Sequence, residues 1–231
     1  MISVIMPYWN RQARLTDTLY SYSRFYAELD FEVIIVDDGS AEKPIIPPNL
    51  PFKVNLISLP EKKIALNPCA PLNRGAEASQ GKVLVITNPE VEHTMPIFPA
   101  MQEELYLQGA HGYVAAGCWS ADTKRWYCHS SIRNGLLGRA PVPDRAGLHF
   151  CSMLFKDFFW FAGGFDEDYR AGQGFEDNDF LWQLHLCEAQ FVIRDDLVVN
   201  HYSTKTLWPA GGHNLNRRIF EQKWNGIIKN D

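Results

Sequence analysis

Apolar runs and helical periodicities alternate along the first half of the chain. The predicted strands, each a mostly apolar run or an alternation of apolar and polar positions, are residues 3–7, 31–36, 53–59 and 82–87. Between them, the spacing of Leu15, Leu19 and Tyr22 predicts one helix, and Pro68–Ser79, stopped by Gly81, predicts a second. Strand–helix–strand alternation with short connections implies a mostly parallel sheet with helices on its faces.

The second half of the chain is less regular. Strands are predicted at residues 111–118 and 148–155, separated by a long polar loop over residues 119–147. The remaining elements are an amphipathic helix, two short strands and a terminal helix, predicted at residues 176–188, 191–193, 197–200 and 214–224. No internal repeat or linker divides the sequence, so we expect a single α/β domain over residues 1–231.

Composition narrows the classes of function. The chain has 231 residues, 46% of them hydrophobic and 21% charged, with a formal net charge of −5. This acidic balance argues against binding to a nucleic acid polymer. The five cysteines contain no Cys-x-x-Cys pair, which excludes a standard zinc knuckle and makes a disulfide framework improbable. With no predicted targeting or transmembrane segment, these features predict a cytoplasmic protein.

Polar and aromatic groups collect where the predicted strands end. In parallel sheets, ligands bind beyond the carboxyl ends of the strands, which here are Pro7–Asn10, Asp37–Ser40 and Asn88–His93. An aromatic ring beside a carboxylate suits a nucleobase, since the ring stacks and the carboxylate accepts a ring N–H bond. Asp38-Gly39 alone could be no more than a tight turn; its pairing with Pro7–Asn10 favours a nucleotide site.

Five segments follow one another in an order and spacing that resemble a known family: Val4–Arg11, Val36–Ser40, Leu72–Gly81, Gly163–Glu167 and Gly174–Asp179. This set, which covers most of residues 2–205, resembles the family 2 glycosyltransferases with the GT-A fold. The resemblance implies a single Rossmann-like GT-A catalytic domain with a mostly parallel central sheet flanked by helices. Residues 1–93 would bind a nucleotide sugar, and residues 94–231 would bind the acceptor and carry the catalytic groups.

The resemblance also implies which residues contact the donor, for which a UDP-sugar is the expected molecule. These residues are Pro7, Trp9, Asn10, Asp38, Gly39, Asn73 and Arg74. The segment around Pro7 and the carboxylate of Asp38 would hold the nucleoside. Lys62 and Lys63, in the preceding loop, could meet the diphosphate as point charges or simply form a solvated charged loop.

The metal motif departs from the family pattern. Family members carry Asp-x-Asp after the fourth strand, whereas this chain has Asn88-Pro89-Glu90. Glu90 can replace the second aspartate, but the neutral Asn88 would bind a hard cation more weakly. Glu92 and His93 offer a second possible ligand pair. The motif could alternatively be only a strand-ending turn, in which case the protein would use a cation weakly or not at all.

His201 strengthens the expectation of a metal. A matching histidine completes the metal site in polypeptide N-acetylgalactosaminyltransferases, which the second half of the chain resembles. The predicted ligands are therefore Glu90, His201 and Asn88. Because imidazole suits Mn²⁺ better than Mg²⁺, we expect manganese. A lone surface or capping histidine is the structural alternative.

Glu176 and Asp177 are the catalytic candidates. They begin a predicted helix, where the helix dipole favours acids, so both could be ordinary first-turn carboxylates. In the resembled family, the residue matching Asp177 accepts the proton of the acceptor hydroxyl, and Glu176 would orient the acceptor. Asp179 is a lesser alternative base. Trp119 and Trp126, in the long loop, are candidates for a sugar-stacking platform.

The resemblance implies inverting transfer of a hexosyl or N-acetylhexosaminyl group to the hydroxyl of a glycan or other acceptor, in glycan or surface-polysaccharide synthesis. Two alternatives are open. A catalytically degenerate nucleotide-sugar-binding module is favoured only by the missing aspartate at Asn88. A sugar nucleotidyltransferase normally carries a glycine-rich loop after the first strand, and Pro7–Gln12 contains no glycine.

Overall fold

The computed structural model describes residues 1–132, 149–203 and 209–228. Its first half is built from β1 (Ile2–Tyr8), α1 (Gln12–Phe25), β2 (Phe31–Asp37), β3 (Lys53–Ser58), α2 (Cys69–Ala78) and β4 (Val83–Thr87). These four strands are all parallel, in the order β3-β2-β1-β4. Every residue of β1, β2 and β4 is buried, because both faces of these central strands are covered, whereas the edge strand β3 is partly exposed.

The second half extends the same sheet. It contains β5 (Val91–His93), α3 (Phe98–Gln108), β6 (Gly112–Ser120), β7 (Arg125–Cys128), β8 (Cys151–Phe155), α4 (Lys156–Phe161), α5 (Glu176–Leu186), β9 (Gln190–His201) and α6 (Gly212–Ile228). Short 3₁₀ helices cover Ser130–Ile132 and Glu167–Ala171. β8 pairs antiparallel with β4 and β6, while β9 is parallel to β6 and antiparallel to β5. Only β5, β7 and β8 oppose the common direction among the described strands, so the predicted mostly parallel α/β domain is confirmed.

Three local predictions are corrected by the structure. The two short strands expected at 191–193 and 197–200 are one strand, β9, whose register against β6 shifts between Ala116 and Gly117. The charged residues at this irregularity interrupt the apolar pattern and made one strand look like two. The predicted loop over 119–147 begins with the β6–β7 hairpin, and its residues 133–147 lie outside the described part of the chain. Helices α3 and α4 were not predicted.

A separate small aromatic cluster fixes α5 against α6. It consists of Tyr169, Trp182, Phe220 and Trp224. The carboxylate of Asp179, completely buried beneath it, accepts hydrogen bonds from the Trp224 indole (2.7 Å) and the Tyr169 hydroxyl (3.0 Å). This packing sets the position of the first turn of α5. Among the described residues, no helix is long and apolar enough to cross a bilayer.

Candidate active site

A cavity of about 310 Å³ lies at the carboxyl ends of β1, β2 and β4. It is closed from the other side by the first turn of α5 and the last residue of β9. Most of the residues predicted from the sequence line this one cavity: Pro7, Trp9, Asp38, Asn88, Glu90, Glu176, Asp177 and His201. The fold therefore brings together residues that are up to 194 positions apart in the sequence, from Pro7 to His201.

Asn10 and Gly39, which were predicted to contact the sugar donor, lie in the loops beside the cavity and do not line it. The backbone N–H of Asn10 donates to the Ser40 hydroxyl at 2.9 Å and so joins the ends of β1 and β2. Gly39 has a φ of +81°, and a Cβ there would lie 2.0 Å from the carbonyl oxygen of Pro60. This turn therefore requires glycine. Direct contact of Asn10 and Gly39 with a donor stays a prediction.

Asn73 and Arg74, on α2, also lie outside the cavity lining. The Asn73 side chain donates to the Phe165 carbonyl (2.7 Å) and accepts from the Phe165 N–H (2.9 Å), which fastens the Gly163–Glu167 segment to α2. Arg74 forms an ion pair with Glu77 on the exposed face of the helix. The structure thus gives both residues local partners, and their contact with the donor stays a prediction.

Asp38 lines the cavity directly after β2, with its carboxylate almost completely buried. Its Oδ1 atom contacts the Lys62 ammonium group and lies 3.1 Å from Nη2 of Arg170. Lys62 therefore has a carboxylate partner, whereas Lys63 is exposed. Arg170 was missed by the sequence analysis because it reaches Asp38 from a 3₁₀ helix 132 residues along the chain.

Glu90 and His201 come together where β5, which follows β4, pairs with the end of β9. The antiparallel pairing of β5 with β9 places Val91 opposite His201, and Nε2 of His201 lies 3.9 Å from Oε1 of Glu90. Burial raises the pKa of Glu90, and the nearby Arg11 guanidinium partly offsets the rise. Burial, helped by the charge of Arg11, lowers the pKa of His201 to about 4. The imidazole is therefore neutral at pH 7, which is the form that binds metals.

These groups fit a divalent cation as a partial site. Oε2 of Glu90 and Nδ1 of His201 are buried and have no hydrogen-bond partner among the described residues. The same residues contain no group of three or more His, Cys, Asp or Glu side chains that could hold a metal. With Asn88 neutral, a cation here would need oxygen ligands from a bound molecule, which is how Mg²⁺ and related ions are held beside substrate phosphates.

The second possible ligand pair, Glu92 with His93, is wrong. The two residues are neighbours on β5, so their side chains point to opposite faces of the sheet. His93 is buried in the core, where its Nδ1 lies 2.5 Å from the Tyr26 hydroxyl and its ring packs against Tyr22. Burial lowers the pKa of His93 to about 3, so the ring is a neutral part of the aromatic core.

The Glu176-Asp177 pair lies at the first turn of α5, directly after Phe175 in the left-handed conformation (φ 70°). The buried amide of Asn67 holds this turn: it donates to Oε2 of Glu176 and to the carbonyl of Gly174 (3.2 Å). Strained backbone of this kind is concentrated at functional sites. Asn67 was missed by the sequence analysis, since an asparagine before a proline indicates only a turn.

Burial, assisted by the charge of Asp177, raises the pKa of Glu176 to about 8. Glu176 therefore keeps its proton at neutral pH. The role of Asp177 as a base stays a prediction. Asp179, the alternative base, is completely buried among its hydrogen-bond donors and does not line the cavity, so that alternative is wrong.

The Glu176→Gln variant tests this protonation state. The folded pKa of about 8 is above the ordinary value near 4.5, so protonation of Glu176 stabilises the fold below pH 4.5 and this contribution disappears as the pH rises through 8. We expect the unfolding free energy of the wild type to fall between pH 5 and pH 8 more steeply than that of Glu176→Gln. Urea unfolding at several pH values measures this. The exposed control Glu28→Gln should keep the wild-type slope; equal slopes in all three proteins would contradict the assignment.

Trp119 and Trp126 lie beside each other on the β6–β7 hairpin, with ring centroids 5.0 Å apart. Neither ring lines the cavity. Their use as a sugar-stacking platform stays a prediction.

The fold and the cavity define a class of protein: an α/β domain with a cleft at the carboxyl ends of its parallel strands, lined by both apolar and ionisable side chains. Residues 3–158 match the family model described as glycosyl transferase family 2. The match covers more than half of the chain, and the protein belongs to this family. No curated protein is similar enough in sequence to match the chain.

Solved structures of glycosyltransferases share the fold. The mannosyltransferase PcManGT from Pyrobaculum calidifontis, in complex with GDP-Man and Mn²⁺, is 16% identical with a TM-score of 0.69, over 99% of this chain and 64% of its own. TarS from S. aureus is 14% identical with a TM-score of 0.70, over 96% and 39%. TarS 1–349 in complex with UDP is 14% identical with a TM-score of 0.69, over 88% and 60%. The chain thus spans less than two thirds of each of these proteins. The closer likeness of its second half to polypeptide N-acetylgalactosaminyltransferases stays a prediction.

Proposed function

We propose that the protein transfers a sugar from a nucleotide-diphosphate sugar to an acceptor hydroxyl, with inversion at the anomeric carbon. The observation that carries this proposal is that one cavity in a family 2 domain is lined both by Asp38, which follows β2, and by Glu176 and Asp177 of α5. The structural neighbours bound to GDP-Man and to UDP support a nucleotide-sugar donor. We expect a UDP-sugar.

The part of the cavity around Asp38 has groups suited to binding a nucleobase. Asp38 supplies an anionic acceptor for a ring N–H, and Pro7 and Trp9 supply apolar contact beside it. The indole Nε1 of Trp9 is buried and has no hydrogen-bond partner among the described residues, so it can donate to a ligand oxygen. Residues 1–93 would in this way hold the donor, while residues 94–231 would supply the acceptor site.

Glu90 and His201, with Asn88 beside them, would hold a divalent cation. When bound, the cation supplies positive charge that neutralises the leaving diphosphate. A ligand set of one carboxylate and one neutral imidazole favours Mn²⁺ over Mg²⁺. The presence of Mn²⁺ together with GDP-Man in the PcManGT structure supports this expectation.

Asp177 would accept the proton of the attacking hydroxyl, because sugar hydroxyls are poor nucleophiles until deprotonation begins. Glu176, which keeps its proton at neutral pH, can donate a hydrogen bond that orients the acceptor. A single displacement with one base gives inversion. We expect a hexosyl or N-acetylhexosaminyl donor and an acceptor in glycan or surface-polysaccharide synthesis. The five free cysteines agree with the predicted cytoplasmic location.

One observation favours a second function. The neutral Asn88 and the absence of a third acidic or imidazole ligand in the described part of the chain are what a non-catalytic nucleotide-sugar-binding module would show. We prefer the hypothesis of a glycosyltransferase, because Glu176 and Asp177 line the same cavity as Asp38.

Calorimetry with UDP-, GDP- and dTDP-sugars, followed by a donor-hydrolysis assay with and without Mn²⁺, tests the proposal. Binding of one donor class together with release of the nucleoside diphosphate is the expected result. Binding with no turnover under any condition would favour the binding module. Release of pyrophosphate from a nucleoside triphosphate and a sugar phosphate would favour a sugar nucleotidyltransferase instead.

Asp38→Asn should weaken binding of the nucleoside diphosphate by about tenfold to a hundredfold, because hydrogen bonds to a charged acceptor contribute about 1.5–3 kcal/mol. Calorimetric titration with UDP measures the loss. Glu61→Gln is the matched control, since Glu61 is an exposed acid in the loop after β3. Wild-type affinity in Asp38→Asn would show that this carboxylate does not contact the nucleoside.

A further inference from the structure

Arg11 places a positive charge against the one carboxylate of the metal motif. The residue follows β1, and its Nε lies 3.5 Å from Oε2 of Glu90. Both side chains are largely buried, at 15% and 11% exposure, and both line the cavity. The charge of Arg11 also acts on His201. Because Asn88 is neutral, Glu90 is the one acid of the Asn88-Pro89-Glu90 motif, and Arg11 stands against its charge.

This arrangement opposes a free divalent cation. A dication bound to Glu90 would stand a few ångströms from the guanidinium, and like charges at that range repel appreciably even in water. A motif with two unpaired carboxylates would instead attract the ion before any ligand is present. A cation that binds Glu90 therefore competes with the Arg11 guanidinium for this carboxylate.

We propose that Arg11 is the internal counter-ion of Glu90, and that it keeps the affinity for divalent cations low until a diphosphate enters the cavity. The diphosphate then gives the guanidinium a new anionic partner and gives the cation the oxygen ligands that the protein lacks. Glu90 is thereby released to the cation. This inference rests on the proposed function in two respects: the divalent cation at Glu90 and the nucleoside diphosphate as the incoming anion.

The side chain can exchange partners while its backbone stays fixed. The carbonyl of Arg11 accepts a hydrogen bond from the N–H of Leu15 at 2.9 Å in the first turn of α1, and its backbone N–H contacts the Tyr8 hydroxyl. Only the side-chain torsions have to change. A planar guanidinium also binds phosphate oxygens in pairs, which an ammonium group cannot do.

Binding of Mn²⁺ to the protein without nucleotide tests the proposal. Electron paramagnetic resonance of free Mn²⁺ would measure the affinity of the wild type, Arg11→Gln and Arg11→Lys. We expect Arg11→Gln to bind Mn²⁺ about tenfold more tightly or better, and Arg11→Lys, which keeps the charge, to remain near the wild type. The gain should vanish in the double variant Arg11→Gln/Glu90→Gln. Equal affinities of the wild type and Arg11→Gln, or a Lys variant that matches the Gln variant, would overturn the proposal.

Adding UDP separates this inference from the proposed function. In the wild type, UDP should raise the Mn²⁺ affinity strongly; in Arg11→Gln the increase should be smaller, because Glu90 is already free. Equal increases in both proteins would overturn the proposed exchange. The titrations without nucleotide require no turnover, so an inactive protein with the expected Mn²⁺ affinities would refute the transferase and leave the counter-ion role supported. Thermal unfolding of each variant verifies that it is folded.

Discussion

The Asp177→Asn variant should lose sugar transfer by roughly 10²- to 10⁴-fold, which is the usual contribution of a positioned general base. The amide fills the same volume at the first turn of α5 but cannot accept a proton. Donor binding should be nearly unchanged, since Asp177 lies on α5, whereas the proposed nucleoside contacts Pro7, Trp9 and Asp38 lie on or directly after β1 and β2. The loss should therefore fall on kcat and not on the affinity for the donor.

Two measurements make this result specific. Steady-state transfer kinetics give the loss of rate, and calorimetry with the nucleoside diphosphate gives the affinity. Asp168→Asn is a suitable control, because Asp168 is exposed and does not line the cavity. Undiminished turnover in Asp177→Asn would show that Asp177 is not the general base. A parallel loss of nucleotide affinity would show instead that the substitution disturbs the whole cavity.

The predictable part of the site follows from the central strands. β1, β2 and β4 are buried on both faces, so they appear in the sequence as apolar runs, and the polar residues that follow them mark the ligand edge. The segments Pro7–Asn10, Asp37–Ser40 and Asn88–His93 were found in this way, and the family resemblance singled out Pro7, Asp38 and Glu90 within them. Their closeness in space could be predicted without knowledge of side-chain contacts, because parallel strands end at the same edge of the sheet.

The other site residues depend on contacts that no local pattern encodes. Arg170 meets Asp38 across 132 residues, and Asn67 meets Glu176 across 109. Arg11 lies within a recognised motif, yet its partner Glu90 follows another strand. Each of these pairs is fixed by the packing of loops over the sheet edge. A single sequence therefore supplies the residues but not the pairing.

The two histidines considered as ligands show the same limit. His93 and His201 both lie on strands near the sheet edge, and their surroundings in sequence do not separate them. The pairing of β5 with β9 sends His93 into the aromatic core and leaves His201 beside Glu90. β5 has three residues, too few for an alternating pattern to reveal which face is buried. The register of such a strand is known only from the structure.

The Asp179→Asn variant should lower the free energy of unfolding by about 3 kcal/mol, because the substitution removes a completely buried charged acceptor and leaves its buried donors unsatisfied. Asp179 is completely buried and accepts from Trp224 and Tyr169, while Nζ of Lys223 lies 2.9 Å from its Oδ1. An amide at this position places N–H groups against donors. The fastening of α6 to α5 would loosen, and with it the turn that carries Glu176.

Asp166→Asn supplies the matched control for this loss of stability. Asp166 contacts the same Lys223 ammonium at 2.6 Å, but its side chain is 25% exposed. Solvent therefore screens the interaction, and the substitution should cost less than about 1 kcal/mol. Urea unfolding of both variants at one pH gives the comparison. Similar losses in the two would mean that Lys223, and not the buried carboxylate with its aromatic donors, holds α6 in place. A large loss confined to Asp179→Asn would identify Asp179 as the group that holds α5, α6 and the 3₁₀ helix of Tyr169 together.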